Sequence, residues 1–217
     1  MIELKNISKT YQPDTKNIKA LEDINLEVNK NEFVVIQGPS GCGKTTLLLT
    51  IAGMLKPDTG TAMVIGQDVY ALSPNQRADM RAQHIGFVFQ QFHLIDYLTV
   101  RKNILLPSIN KHSSDTQELC LKLVKEFDIH DRLEHFPAEL STGQRQRVAL
   151  ARSLINQPQI ILADEPIGNL DQANSTIILE QLRAFAQSDG TVLMVTHDNQ
   201  AAEIADRIVL IQKGIIQ

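Results

Sequence analysis

Hydrophobic and polar positions alternate through most of the first thirty residues. IELKNISKTY (2–11) and IKALEDINLEV (18–28) both switch with a period of two, separated by the turn-forming PDTKN. That period sends successive side chains to opposite faces, so both segments read as strands of an antiparallel sheet with one covered face. The pattern then changes. FVVI (33–36) is continuously apolar, as expected of a strand buried on both faces. A helix is expected over 44–55, a turn at KPDTG (56–60), and a strand in TAMVIGQDV (61–69). Residues 77–84 read as a polar helix leading into a second buried strand, IGFVFQ (85–90).

Residues 91–158 have few strand-like runs. Pro107 and Pro137 act as breakers, and Leu119, Leu123, Val124 and Phe127 fall at helical spacing over 114–127. Cys120 lies on the same apolar stripe and is expected to be a core residue. Strand and helix then alternate: a strand from Ile160, a helix over 174–188, TVLMVT (191–196), a helix over 200–205 and RIVLIQ (207–212). Such alternation is the mark of a parallel α/β sheet. The organisation expected is a single domain over 1–217, with 1–90 and 159–217 forming one core and 91–158 inserted into it as a helical subdomain.

Composition narrows the function classes. Of 217 residues, 43% are apolar and 21% charged, ordinary for a globular protein with a sizeable core. Lys and Arg total 21 against 25 Asp and Glu, a formal charge of −4. No basic surplus exists to neutralise a phosphate backbone, so no nucleic-acid partner is expected. No apolar run exceeds five residues, whereas about 20 are needed to cross a bilayer. The N-terminal segment alternates and is expected to be neither signal peptide nor anchor. Two distant cysteines, Cys42 and Cys120, fit a reducing, cytoplasmic setting.

The strongest local signal is GPSGCGKT, Gly38 through Thr45, which matches G-x-x-x-x-G-K-[ST] between a buried strand and a helix. Gly38, Gly41 and Gly43 let the backbone turn so that amides of Pro39–Thr46 neighbours such as Ser40, Cys42 and Thr46 point at phosphate oxygens. Lys44 supplies a point charge, and the Thr45 hydroxyl can ligate Mg²⁺. Cys42 is a loop-geometry residue in this reading. A second acidic element follows in IILADE, where three aliphatics and an alanine end on two carboxylates. Strands of open α/β sheets present such groups at the ligand crevice, making Asp164 a Mg²⁺ ligand candidate and Glu165 a general-base candidate.

Lys44 and Asp164 lie 120 positions apart, and the helical insertion fills that interval. It closes with LSTGQRQRVALARSLINQ (140–157), an amphipathic helix whose Ser141-x-x-Gln144 is a capping box. A helix start with Ser141, free amides and Gly143 suits an anion. Because one phosphate loop is already present, a second anion site points to the nucleotide held by another copy of the chain.

This order of motifs resembles the ATP-binding cassette (ABC) ATPases, and the resemblance covers essentially the whole chain. GPSGCGKT resembles the Walker A motif, Gln90 the Q-loop glutamine, LSTGQ the signature, IILADEP the Walker B, GNLD (168–171) the D-loop, and His197 in VTHD the switch histidine. The family implies a P-loop NTPase core of α/β class with a mostly parallel sheet, an N-terminal antiparallel β subdomain and an inserted α-helical subdomain. It also implies ATP and Mg²⁺ as ligands, Tyr11 stacked on adenine, and Gln90 sensing Mg²⁺ and the attacking water. His197 would contact the γ-phosphate and orient Glu165, while Ser141, Gly143 and the D-loop Asp171 would face nucleotide in a sandwich of two copies. The other five histidines are expected at the surface.

Within the family, GFVFQQFHLIDYLTVRKNILLP (86–107) and LADEPIGNLD most resemble the lipoprotein-release, macrolide- or peptide-export and cell-division ATPases. That resemblance implies a separate integral membrane subunit with transmembrane helices, and peripheral attachment at the cytoplasmic side of the inner or plasma membrane. Phe92, His93, Leu94, Ile95 and Tyr97 are docking candidates, with helical-subdomain core as the alternative. Two positions depart from the family pattern: Thr142 replaces the first signature glycine, and Ile167 stands where threonine is common. If the backbone at 142 requires φ > 0, threonine would be strained and hydrolysis weakened. The competing functions are a soluble non-transport ABC ATPase and a low-turnover ATP-binding regulatory module.

Overall fold

The computed structural model describes residues 1–12, 17–111 and 114–217. The turn expected at PDTKN lies largely outside them. β1 (Ile2–Tyr11) and β2 (Ile18–Val28) pair antiparallel, as their alternation predicts, and β1 pairs on its other side with β4 (Thr59–Val64). With β5 (Gln67–Asp68) they form a four-stranded sheet of order β2-β1-β4-β5. Ile2, Leu4, Ile7, Leu21, Ile24, Leu26 and Val28 are buried on its inner face.

The second sheet has six strands in the order β10-β9-β3-β8-β7-β6. β3 (Phe33–Gln37), β6 (Ile85–Val88), β7 (Ile160–Asp164), β8 (Thr191–Thr196) and β9 (Arg207–Gln212) run parallel, and β10 (Ile215–Ile216) returns antiparallel to β9. All of β7 and β8 is buried, as continuous apolar strands covered on both faces should be. Two apolar clusters lie on opposite sides of this sheet: Val34, Ile36, Leu162 and Leu193 join the first sheet and α1 (Lys44–Ile51), whereas Val35, Ile161, Ala163 and Met194 join the later helices.

Between β6 and β7 come α3 (Val100–Leu105), α4 (Ser114–Glu126) and α5 (Thr142–Leu154), with short 3₁₀ turns. Cys120 is fully buried in α4, and burial pushes its thiol pKa up. α6 (Gln172–Gln187) and α7 (Asn199–Ile204) follow β7 and β8.

Several boundaries differ from the sequence reading, each for a local reason. α1 ends at Ile51, not Leu55. Gly53 has φ +66° and its amide bonds to Thr50 O, while Met54 N bonds to Leu49 O. That pair of reversed bonds closes the last turn and stops the helix. α2 (Pro74–His84) starts three residues earlier than expected, because Ser73 and Gln76 form a capping box with Pro74 in the first turn. The strand read over 61–69 is broken by a two-residue hairpin at Ile65 and Gly66, both at positive φ. Lys213 and Gly214 make an equivalent hairpin that adds the unforeseen β10.

One buried polar side chain organises the approach to α3. Asn103 is fully buried; its Oδ1 accepts from Ile95 N at 2.7 Å, and its Nδ2 donates to the carbonyls of Ile95, Leu98 and Thr99. These bonds supply partners to Ile95 N and Leu98 O, while Ile95 O and Thr99 O also accept from Leu98 N and Asn103 N. Asn103→Ala should leave Ile95 N and Leu98 O without these partners, costing about 2 kcal/mol. At this chain length that lowers Tm by about 4–8 °C, measurable by calorimetry.

Candidate functional site

The carboxyl ends of β3, β6, β7 and β8 all reach one edge of the parallel sheet, and the loops leaving them enclose a cavity of about 570 Å³. Tyr11, Ser40, Gly41, Gly43, Lys44, Thr45, Thr46, Gln90, Asp164, Glu165 and His197 line it, together with Ile18 and Ala20 of β2. Residues from positions 11 to 197 thus converge where open α/β sheets bind ligands.

The loop between β3 and α1 is held in shape by close backbone packing. Gly43, the residue before the helix, has φ +106°, and a Cβ there would stand 2.1 Å from Ala20 O. No other residue fits both constraints. Cys42 is buried beneath the loop and its carbonyl accepts from Gly214 N, consistent with a geometric role. Gly38, Pro39 and Cys42 shape the loop without lining the cavity. The first-turn amides of α1 have no side-chain cap, leaving the helix N-terminus open to an anion.

Lys44 is buried, and its ammonium donates to Gly38 O at 2.7 Å and Pro39 O at 3.2 Å. It also lies 3.7 Å from the Glu165 carboxylate. Thr45 Oγ1 donates to Asp164 Oδ1 at 3.2 Å. Burial pushes the Asp164 carboxyl pKa up, with the Glu165 charge adding to the rise, while the Thr45 bond and Lys44 oppose it. A buried carboxylate beside a hydroxyl is a hard-oxygen pair suited to Mg²⁺. Among the described residues no group of three or more His, Cys, Asp or Glu could hold a metal alone, so such an ion would complete its shell with phosphate and water.

Glu165 follows β7 directly, and its backbone is left-handed, φ 45°, with its amide bonded to Val195 O. A non-glycine residue in that region is strained by about 1–3 kcal/mol, a cost found characteristically at functional sites. The turn swings the Glu165 side chain back toward Lys44. His197 Nδ1 stands 3.1 Å from the Glu165 carboxylate, and the imidazole is otherwise largely exposed to the cavity mouth. Gln90 has left β6 two residues earlier and is exposed, its Nε2 about 4.0 Å from the Cβ position of Gly168. Tyr11 is 40% exposed at the opposite end, beside Ile18 and Ala20. Those two β2 residues were missed in the sequence, where they read only as part of an alternating strand.

Ser141, Gly143 and Asp171 do not line this cavity. Ser141 caps α5, with the expected capping box to Gln144. Thr142 is the first residue of α5 and has no positive φ, so the replaced glycine brings no left-handed strain. Gly143 is buried against Asn174, whose Oδ1 would be 2.3 Å from an added Cβ. Asn174 in turn bonds through its backbone and side chain to Asp171, which caps α6. Of the docking candidates, Leu94 packs on the core and Ile95 is tied to Asn103. Tyr97 is 81% exposed, His93 lines a groove beside Arg152, and Phe92 lies against Arg152 and Arg145 without lining that groove. Of the remaining histidines, His93 and His130 are exposed, His84 and His135 are half-buried, and His112 lies outside the described residues.

Comparison with known proteins agrees with this geometry. The family model described as ABC transporter matches residues 21–168. The uncharacterised ABC transporter ATP-binding protein MJ1508 of Methanocaldococcus jannaschii is 41% identical over all of this chain and 97% of its own length. YknY of Bacillus subtilis, also an uncharacterised ABC transporter ATP-binding protein, is 39% identical over 100% of this chain and 95% of its own. A macrolide export ATP-binding/permease protein MacB of Chlorobaculum tepidum is 39% identical, but this chain spans only 33% of it. The dimeric structure of MJ0796, a bacterial ABC transporter cassette, superposes with a TM-score of 0.94 at 40% identity, covering 100% of this chain and 97% of that one. A post-hydrolysis MJ0796 dimer bound to ADP and Pi superposes equally well at 38% identity. With the phosphate loop, the paired carboxylates and the capped α5 in place, the chain belongs to the ABC transporter family of ATP-binding cassettes.

Proposed function

We propose that this chain is the ATP-hydrolysing subunit of an ABC transporter. It binds MgATP between two copies of itself and drives a conformational change in a separate membrane subunit. The observation that carries the reading is the convergence of Lys44, Thr45, Asp164, Glu165 and His197 on one cavity over the open N-terminus of α1. The N–H groups of the 38–46 loop, Pro39 excepted because it has none, cradle the phosphates. Lys44 exchanges its two loop carbonyls for phosphate oxygens, a charge-assisted contact stronger than the bonds it gives up. Mg²⁺, held through Thr45 and Asp164 with Gln90 as a further ligand, supplies charge neutralisation for the transferred phosphoryl group. Tyr11 stacks on the adenine ring.

Glu165 accepts the proton of the attacking water, and His197 fixes the carboxylate while reaching the γ-phosphate. Lys44 lies 3.7 Å from the Glu165 carboxylate, and His197 supplies the third contact of the cluster. Ser141 and Gly143, placed away from the chain's own cavity, contact ATP bound by the opposite copy. Asp171 belongs to the same surface through Asn174. The unstrained backbone at Thr142 removes the reason to expect weakened turnover.

The partner is an integral membrane subunit, supported by the resemblance to MacB, whose name joins ATP-binding and permease functions in one polypeptide. No helix among the described residues is long and apolar enough to cross a membrane. Attachment at the cytoplasmic face then follows from where ATP is available. Exposed Tyr97 and the groove beside His93 and Arg152 are the candidate docking features.

Two measurements test this reading. Glu165→Gln should cut steady-state ATP turnover by about 10²-fold or more, the scale of a general base, and accumulate an ATP-bound dimer on gel filtration. Unchanged turnover would sink the assignment. Asp164 provides a pH test. Its raised native pKa means the folded state keeps a proton that the unfolded chain releases, so this group costs stability as pH rises above the ordinary carboxylate range. Asp164→Asn should therefore raise the nucleotide-free Tm at neutral pH, by about 2–4 °C if about 1 kcal/mol is relieved. The same variant should lose most of the stabilisation that MgATP confers on the parent protein.

A further inference from the structure

Two residues beyond Gln90 the backbone is strained twice in succession. Phe92 has φ 58° and His93 φ 46°, neither a glycine. Such conformations persist only where the surroundings over-determine them. What surrounds this pair is α5. Arg152 Nη2 donates to Phe92 O and its Nη1 to His93 O, each at 2.5 Å. Seven residues nearer the helix start, the Arg145 guanidinium lies 5.6 Å from the centre of the Phe92 ring. The His93 ring meets Phe89 edge-on at 4.8 Å, and Phe89 stacks on Phe87 of β6. The loop is thereby clamped between the strand that ends near Gln90 and the helix that begins at Ser141.

We propose that Arg152 is a positioning residue for ATP hydrolysis: by bonding both strained carbonyls it holds the loop in the left-handed shape that presents Gln90 to the cavity, and it makes that loop and α5 move as one body. The inference rests on the roles given above to Gln90 and Ser141. The planar fork of a guanidinium suits this task, because two adjacent carbonyls in a left-handed turn can be met by its two terminal nitrogens at once. A lysine in the same place offers one nitrogen. Moving the loop and α5 together has a mechanistic consequence. Gln90 engages its own nucleotide at the same moment that the Ser141 end of α5 engages the nucleotide across the dimer. Without the clamp, ATP still binds to the phosphate loop, but the two engagements are no longer simultaneous.

The test separates positioning from mere structural support. Arg152→Ala should lower kcat about tenfold while leaving KM for ATP within about twofold, the signature of an interaction that matters after ground-state binding. Glycine adopts positive φ without strain, so adding His93→Gly to Arg152→Ala should recover at least about half of the lost turnover. A contact that only supported the fold would not be rescued by changing the backbone preference of the residue it touched. Near-normal kcat in a folded Arg152→Ala protein overturns the proposal, as does a loss carried by KM or a double variant no faster than the single. If Arg152→Ala loses its cooperative melt, Arg152→Lys, with and without His93→Gly, is judged by the same criteria. Glu165→Gln measured in parallel distinguishes the two readings. Unchanged turnover there removes the site assignment, whereas a Glu165→Gln slowed by about 10²-fold or more beside an unimpaired Arg152→Ala removes only the positioning role.

Discussion

Parallel pairing of β3, β8, β7 and β6 is the constraint on which everything else depends. Parallel strands all expose their last carbonyls on one edge, and each must leave the sheet there through a loop. Four such loops bring the phosphate cradle, Gln90, the two carboxylates and His197 to one place from four distant stretches of chain. The order of strands matters as much as their direction. β8 lies between β3 and β7, so His197 emerges between the phosphate loop and Glu165, within 3.1 Å of the carboxylate. The strands can supply this scaffold because they are buried on both faces, which frees their ends to carry polar residues that contribute nothing to the core.

The site is built at a cost to the fold. Asp164 is held with its pKa raised by burial, Glu165 sits in a strained backbone conformation, and Lys44 is buried with its charge met by loop carbonyls. In the proposed function, the Lys44 and Asp164 charges are met by a ligand that brings negative phosphate to the one and a cation to the other. The same groups that destabilise the empty protein therefore favour the nucleotide-bound one, which is how binding energy becomes available for conformational work.

Much of this was legible in the sequence where a short motif carries its own backbone geometry. GPSGCGKT, the acid pair after IILA and the Ser141 capping box all have the predicted context, because their residue types determine the local turn or cap. Less was legible where tertiary contacts decide. Ile65 accepts a positive φ in a two-residue hairpin although β-branched residues disfavour it, so the alternating pattern over 61–69 concealed a turn. The run 92–97 read as one apolar patch, yet Leu94 packs on the core, Ile95 is held through its backbone by Asn103, and Tyr97 is left in solvent. The path of the backbone there depends on hydrogen bonds from a side chain eight positions away, which no local pattern announces. Ile18 and Ala20 carry no chemistry of their own and became cavity residues only through the packing of β2 against the phosphate loop.

The position of Ser141 shows why the individual chain is not the whole machine. Its hydroxyl is used in capping α5, and the first turn of that helix lies outside the chain's own cavity, with Gly143 pressed against Asn174 and Asn174 against Asp171. An anion-ready helix start, linked side by side with the D-loop cap, is a surface rather than a pocket. A surface of that kind acquires a ligand only when something brings the ligand to it, and in the proposed function the phosphate loop of a second copy does so. Division of one nucleotide site between two chains, as proposed, would make ATP the adhesive of the dimer and its hydrolysis the release. A subunit with that property can do mechanical work on whatever holds the two copies together from outside.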